Sequence, residues 1–222
     1  SEVRVSRTSS LRHDIVVLVQ PGEILMANVL VVSTSKGGTG KTTLGVSLAA
    51  YWRDQGKTVS ILDTDPNEAM TRWAGKSQNG FHGIEIRSSS NEHDIIENVQ
   101  QLGAGSDFVV VDTAGFGNQS MIYAVGIADL VLVPVMADEA SLFEAAKMKR
   151  VIDSASALTR RDINFRTVLN RVKRMTTVVR HTERNLEQLG LRPTSTRIGD
   201  RVIFQEASYH GETPLSLMPG NR

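Results

Sequence analysis

From Val29 to Thr43 the chain reads Val-Leu-Val-Val-Ser-Thr-Ser-Lys36-Gly-Gly-Thr-Gly40-Lys41-Thr42-Thr43: an apolar run, a glycine-rich turn and the start of a helical pattern. Residues of those types in that order can bind phosphate. Glycines let the backbone curl until successive N–H groups face inward, and the following helix adds the positive end of its dipole. Lys41 is placed to reach β- and γ-phosphates, and the Thr42 hydroxyl to hold Mg²⁺. Gly37, Gly38, Thr39, Gly40 and Thr43 complete the candidate loop. It opens later than the usual G-x-x-x-x-G-K-[ST] spacing, and a second lysine, Lys36, stands directly ahead of it. A tight turn with solvated lysines would explain glycines alone. It does not explain a strand, glycines, two lysines and paired threonines together.

Two further stretches supply acids. Thr58-Val-Ser-Ile-Leu62 reads as a buried strand running into Asp63-Thr64-Asp65-Pro66. Side chains alternate along a strand, so Asp63 and Asp65 point the same way. Asp63 is the candidate for the Mg²⁺ shell and Asp65 for positioning an attacking water. Pro66 also suits the first turn of a helix, but capping alone does not call for two acids. Later, Asp107-Phe-Val-Val-Val-Asp112-Thr-Ala-Gly115 is an apolar strand ending in an acid and a glycine-containing loop, the Walker B pattern. Asp112 is expected to bind Mg²⁺ through a water, because that ion gives up its hydration reluctantly. The loop Thr113–Asn118 would then sense the γ-phosphate.

The string K-G-G-T-G-K-T-T resembles the deviant Walker A loop of the ParA/MinD family of ATPases. Asp63-Thr-Asp-Pro resembles that family's D-x-D-P motif, with Asn67 where glutamine is frequent. The resemblance spans roughly residues 28–213. It implies an α/β fold, a mostly parallel twisted sheet with helices on both faces, and Mg²⁺-dependent hydrolysis of ATP. It also implies an ATP-bound dimer in which Lys36 crosses to the partner's nucleotide. A second cation there would stabilise charge that develops on hydrolysis. Finally, it implies base recognition by an asparagine at the tip of the strand Phe165–Val172, here Asn170, whose amide offers both a donor and an acceptor.

These residues need elements to hold them. The pattern predicts a helix over 41–54 closed by Gln55-Gly56-Lys57, strands over 58–62, 83–87, 107–112, 129–135 and 165–172, and helices over 68–76, 91–102 and from Glu139. From Met175 to Leu189, Met175, Val179, Leu186 and Leu189 form an apolar stripe, and Lys173, Arg180 and Arg184 fall on the opposite face. Glu183 and Glu187 flank that face, so plain i, i+3 and i, i+4 ion pairing is the competing account. A short helix is expected near 201–208.

Composition narrows the function. The 222 residues suit one α/β domain, and the lack of cysteine excludes a disulfide framework or a thiolate site. No apolar run approaches the ~20 residues that span a bilayer. Net charge is +1 but uneven: residues 1–146 carry −7 and residues 147–222 carry +8. A basic C-terminal third suggests a polyanion surface, and a solvated basic face is the alternative. Residues 1–25 read as an extension ahead of a single domain over 26–222. Within the family, the short length, the Leu62-Asp-Thr-Asp-Pro66 and Thr71-Arg-Trp73 strings and the basic C-terminal third most resemble small plasmid-partition ATPases. That resemblance implies a cytoplasmic, nucleoid-associated protein that forms an ATP-dependent homodimer, binds DNA without reading sequence, and is triggered by a separate centromere-binding adaptor. The alternatives are a MinD-like membrane-cycling ATPase, disfavoured by glycine and prolines in 208–222, and a metabolic P-loop synthetase or kinase, which has no use for a basic helix.

Overall fold

Apolar runs that β-branched residues dominate favour strands buried on both faces, and such strands recur along this chain at helix-length spacing. The computed structural model describes residues 28–115 and 119–218; the extension read over 1–25 lies outside them. Its elements are β1 (Asn28–Val32), α1 (Lys41–Asp54), β2 (Val59–Asp63), α2 (Ala69–Ala74), β3 (Ile84–Ser88) and α3 (Ile95–Gly103). They continue with β4 (Phe108–Asp112), α4 (Gln119–Ile127), β5 (Leu130–Val135), α5 (Glu139–Thr159), β6 (Phe165–Val172), α6 (Thr177–Gln188), β7 (Pro193–Gly199) and α7 (Val202–His210). The strands form one sheet in the order β3-β2-β4-β1-β5-β6-β7, and every pairing is parallel.

Strand alternation splits the core into two layers. Leu30, Val32, Ile61, Phe108, Val110 and Leu132 face α1, α2 and α7; Val31, Leu62, Val109, Val111 and Val133 face α3 to α6. Trp52 of α1 stacks on Phe108 with ring centroids 4.1 Å apart, and Trp73 of α2 donates from Nε1 to the carbonyls of Ala207 and Glu212. Fully burying side chains of this size contributes about 1.5–3 kcal/mol each, so the helices are fixed to the sheet from both sides. Because the connections after β1 and after β4 run to opposite sides of β1, a crevice opens at the C-terminal ends of these strands. Register places Val32, Asp63 and Asp112 level with one another at that edge.

The sequence expectations need three corrections. Helix α4 and strand β7 were not anticipated. In the basic segment, Thr176 is the N-cap of α6, so Lys173 lies in the connection before the helix rather than on its face. Met175 and Leu189 fall beyond the helix ends and are 48% and 51% exposed, so the buried stripe is Val179, Thr182 and Leu186. Among the described residues no helix is long and apolar enough to cross a membrane.

Candidate functional site

Gly38 and Gly40 have φ of +76° and +91°, which L side chains rarely adopt. With them the loop between β1 and α1 turns back on itself and presents the N-terminus of a 14-residue helix. Gly40 is the N-cap and offers no capping side chain, and the first turn carries no acid. The first amides of α1 are therefore available to an anion. They open onto a cleft of about 400 Å³ lined by Gly37, Gly38, Gly40, Lys41, Thr42, Thr43, Asp65, Asn170 and Arg171. Asp200, Arg201, Phe204, Gln205 and Ser208 complete its lining. Thr39 is buried beneath the loop, its hydroxyl donating to Lys36 O at 3.4 Å.

The three aspartates have different surroundings. Asp112 Oδ2 accepts a hydrogen bond from Thr42 Oγ1 at 2.6 Å, while its equally buried Oδ1 has no hydrogen-bond partner among the described residues. Burial, offset in part by Thr42 and Lys41 and reinforced by Asp63 and Asp65, pushes its carboxyl from 3.8 up to about 7. A buried, unpaired carboxylate oxygen beside a threonine hydroxyl is a donor set that fits Mg²⁺. Asp63 has donors of its own: Oδ2 accepts from Thr71 N at 3.0 Å and Thr71 Oγ1 at 3.1 Å, and Oδ1 from Asp65 N at 3.2 Å. It thus fixes α2 to the end of β2. Asp65 does reach the cleft wall, with Oδ1 accepting from Asn67 N at 2.8 Å and Nδ2 at 3.0 Å.

The Asp112 shift has a consequence for stability. A carboxyl that ionises near 3.8 unfolded and near 7 folded stabilises the fold at low pH, and that contribution is lost as pH rises through about 7. Asp112→Asn keeps an acceptor for Thr42 and carries no charge. At pH 8, without nucleotide or Mg²⁺, we expect it to raise stability by about 2 kcal/mol, or ~4–8 °C in Tm for a domain of this size, while removing turnover. At pH 4 the gain should vanish. Equal melting temperatures for the two proteins across that range would show that the buried carboxyl carries no such cost.

Lys36 turns away from the loop it precedes. Its Nζ lies 3.0 and 3.3 Å from the Asp138 carboxylate oxygens and 3.1 Å from Ser141 Oγ, at the N-terminus of α5. Partial burial raises the Asp138 carboxyl, but hydrogen bonds from Ser141 and Lys36 more than offset it and hold it below its ordinary range. Asn170 is 5% exposed and lines the cleft. Of the loop Thr113–Asn118, Thr113 is buried with its hydroxyl 2.9 Å from Ser33 Oγ, and residues 116–118 lie outside the described residues.

Sequence reasoning missed Asp200, Arg201, Phe204, Gln205 and Ser208 of the cleft lining and the partners of Lys36. Asp138 is the N-cap of α5, and nothing local ties it to a lysine 102 positions earlier. On α6, Arg180 and Arg184 are exposed and, with Lys173, make no ion pair among the described residues. Glu183 instead pairs with Arg197 of β7.

Over 189 residues the chain is 26% identical to "Maintenance of carboxysome distribution protein A" of Halothiobacillus neapolitanus, covering 85% of this chain and 87% of that one. It is 36% identical over 107 residues to "Protein ParA" of Rhizobium radiobacter, 48% of each. The septum site-determining protein MinD of Pyrococcus horikoshii, solved with Mg-ADP, superposes with a TM-score of 0.70 at 16% identity, covering 88% of this chain and 90% of that one. Residues 30–215 match the model of the CobQ/CobB/MinD/ParA nucleotide binding domain, and the chain belongs to that family.

Proposed function

We propose that the protein is a Mg²⁺-dependent ATPase that positions a DNA cargo, a plasmid or chromosome, by cycling between an ATP-bound dimer on DNA and a released monomer. The observation that carries this reading is Thr42 on Asp112 at 2.6 Å, with the second Asp112 oxygen unpaired, directly beneath a helix N-terminus opened by glycines. Thr42 and Asp112 would hold Mg²⁺, which when bound neutralises charge on the terminal phosphates. Lys41 lies in the same loop and would meet those phosphates. Asp65, on the cleft wall, would orient the attacking water. Lys36 would reach the partner's nucleotide in the dimer. DNA without sequence preference would lie along the basic face of α6, a centromere-binding adaptor would trigger hydrolysis, and the protein would sit on the nucleoid. Two relatives support a positioning role, one named for carboxysome distribution and one named ParA.

The test is phosphate release from Mg-ATP, with and without DNA, alongside Asp65→Ala. That variant is expected to bind Mg-ATP as tightly as the parent and to turn over at least ~100-fold more slowly, accumulating as dimer on DNA. Wild-type turnover in Asp65→Ala would leave that side chain only its contacts with Asn67. Failure of the unmodified protein to bind Mg-ATP in calorimetry would remove the nucleotide reading altogether.

A further inference from the structure

A helix leaves its first N–H groups without partners inside the helix, and a buried carboxylate needs donors from somewhere. At the end of β2 one contact meets both needs. Asp63 is fully buried, and its Oδ2 accepts from Thr71 N at 3.0 Å and from Thr71 Oγ1 at 3.1 Å. Thr71 is the third residue of α2, whose N-cap, Glu68, supplies no capping side chain. The other oxygen, Oδ1, accepts from Asp65 N at 3.2 Å. A single carboxylate therefore joins the first turn of α2 to the peptide that carries Asp65.

Thr71 is held from both sides. Met70 before it is fully buried against α1, where a Cβ at Gly45 would lie 3.3 Å from Met70 Cε. Trp73 after it donates to Ala207 O at 3.1 Å and to Glu212 O at 2.9 Å. The turn that Asp65 opens has fewer anchors. Pro66, Asn67 and Glu68 are exposed, and Glu68 has φ of +50°, a left-handed conformation that costs a non-glycine residue energy. Within the turn Glu68 N donates to Asp65 O at 2.7 Å, and Asp65 Oδ1 is taken by Asn67. Asp65 Oδ2 receives no hydrogen bond among the described residues.

We propose that Thr71 is a positioning residue for hydrolysis: it holds the Asp63 carboxylate, which holds the Asp65 amide and so aims the second Asp65 oxygen at the attacking water. This rests on the role given to Asp65 above. Misplacing a reacting group by about 1 Å can cost on the order of 10²-fold, so a lost donor on Asp63 should slow the chemical step and spare nucleotide binding.

The readouts are phosphate release from Mg-ATP with DNA present and ATP affinity by calorimetry, both on the full chain. Thr71→Val keeps the side-chain shape and the backbone donor but removes the hydroxyl. Its kcat should fall about tenfold while the Kd for Mg-ATP stays within ~2-fold. Thr71→Ser puts the hydroxyl back and should return kcat to within ~2-fold of the parent. Added to Asp65→Ala, Thr71→Val should cause no further loss, because the group it positions is gone. Thr71→Ala, which places no methyl beside Asp63, should repeat the Thr71→Val result and stands in for it should that variant not fold.

Parental kcat in the variants lacking the hydroxyl would overturn the proposal. So would a full tenfold loss on top of Asp65→Ala, failure of serine to restore the rate, or a fall in ATP affinity in step with kcat. Parental turnover in Asp65→Ala alone would instead remove the role of Asp65 on which the proposal rests.

Discussion

Lys41→Ala is expected to lose ATP affinity by at least ~100-fold, whereas Lys36→Ala keeps it within ~3-fold and loses dimerisation and turnover. A hydrogen bond to a charged group contributes about 1.5–3 kcal/mol, and Lys41 stands inside its own subunit's loop, where that contact would be made on binding. Lys36 points out of the loop onto Asp138 and Ser141, with 32% of its side chain exposed and 38% of Asp138's. Ion pairs of that exposure stabilise by about 0–1 kcal/mol, so moving the ammonium to a phosphate across a dry interface would give up little. Equilibrium titration with a fluorescent nucleotide and sedimentation with slowly hydrolysed ATP separate the two variants. Equal affinity losses would remove the cross-subunit role of Lys36.

The second large effect concerns DNA. Arg180 and Arg184 are exposed on one side of α6, and the acid best placed to neutralise them, Glu183, is turned to Arg197. Glu183 is thereby removed from the ion-paired account of this face, and a phosphate-binding account can be tested directly. Each phosphate neutralised by a lysine or arginine releases counterion, and log K falls with log salt at about −0.9 per contact. Removing both arginines from both subunits of a dimer should flatten that slope by up to about 4 units and weaken binding to every sequence alike. Lys173, in the connection before α6, should act independently of the pair. ATP affinity should be untouched, since neither arginine lines the cleft. Unchanged affinity and slope, with the fold intact by circular dichroism, would sink this surface.

Much of the site was legible because its chemistry is local. The loop from Lys36 to Thr43, helix α1 and strands β2, β4 and β6 each carry a self-contained pattern of apolar run, turn residues and cap. What escaped was set by distance or by featureless composition. Helix α4, Gln-Ser-Met-Ile-Tyr-Ala-Val-Gly-Ile, has no charged residue and therefore no contrast from which to read a period. Strand β7, Pro-Thr-Ser-Thr-Arg-Ile-Gly, is a polar edge strand whose proline stands at its first position, where a missing donor is tolerated. The difference between Asp63 and Asp112 was also hidden: both end a buried strand at the same level, and the donors that reach them, Thr71 and the Asp65 amide for Asp63 and Thr42 for Asp112, come from outside the strands. Asn170 donates to Thr39 O and its neighbour Arg171 to Gly38 O, and that pair of contacts to one loop comes with a left-handed Arg171 that the sequence does not announce.

The central place of β1 in the sheet has a consequence for synthesis. β1 is held between β4 and β5, with Val29 level with Val109 and Leu30 level with Leu130, and the loop it feeds receives its Asn170 contact 131 residues later. At about 5–20 residues per second, a ribosome needs on the order of ten seconds to supply those partners, during which Val-Leu-Val-Val has neither of its neighbouring strands beside it. The loop translated first is therefore completed near the end. Substitutions in β4 or β5 that delay seating should show first as lost soluble yield on fast expression, and only later as a lower melting temperature of the protein that survives.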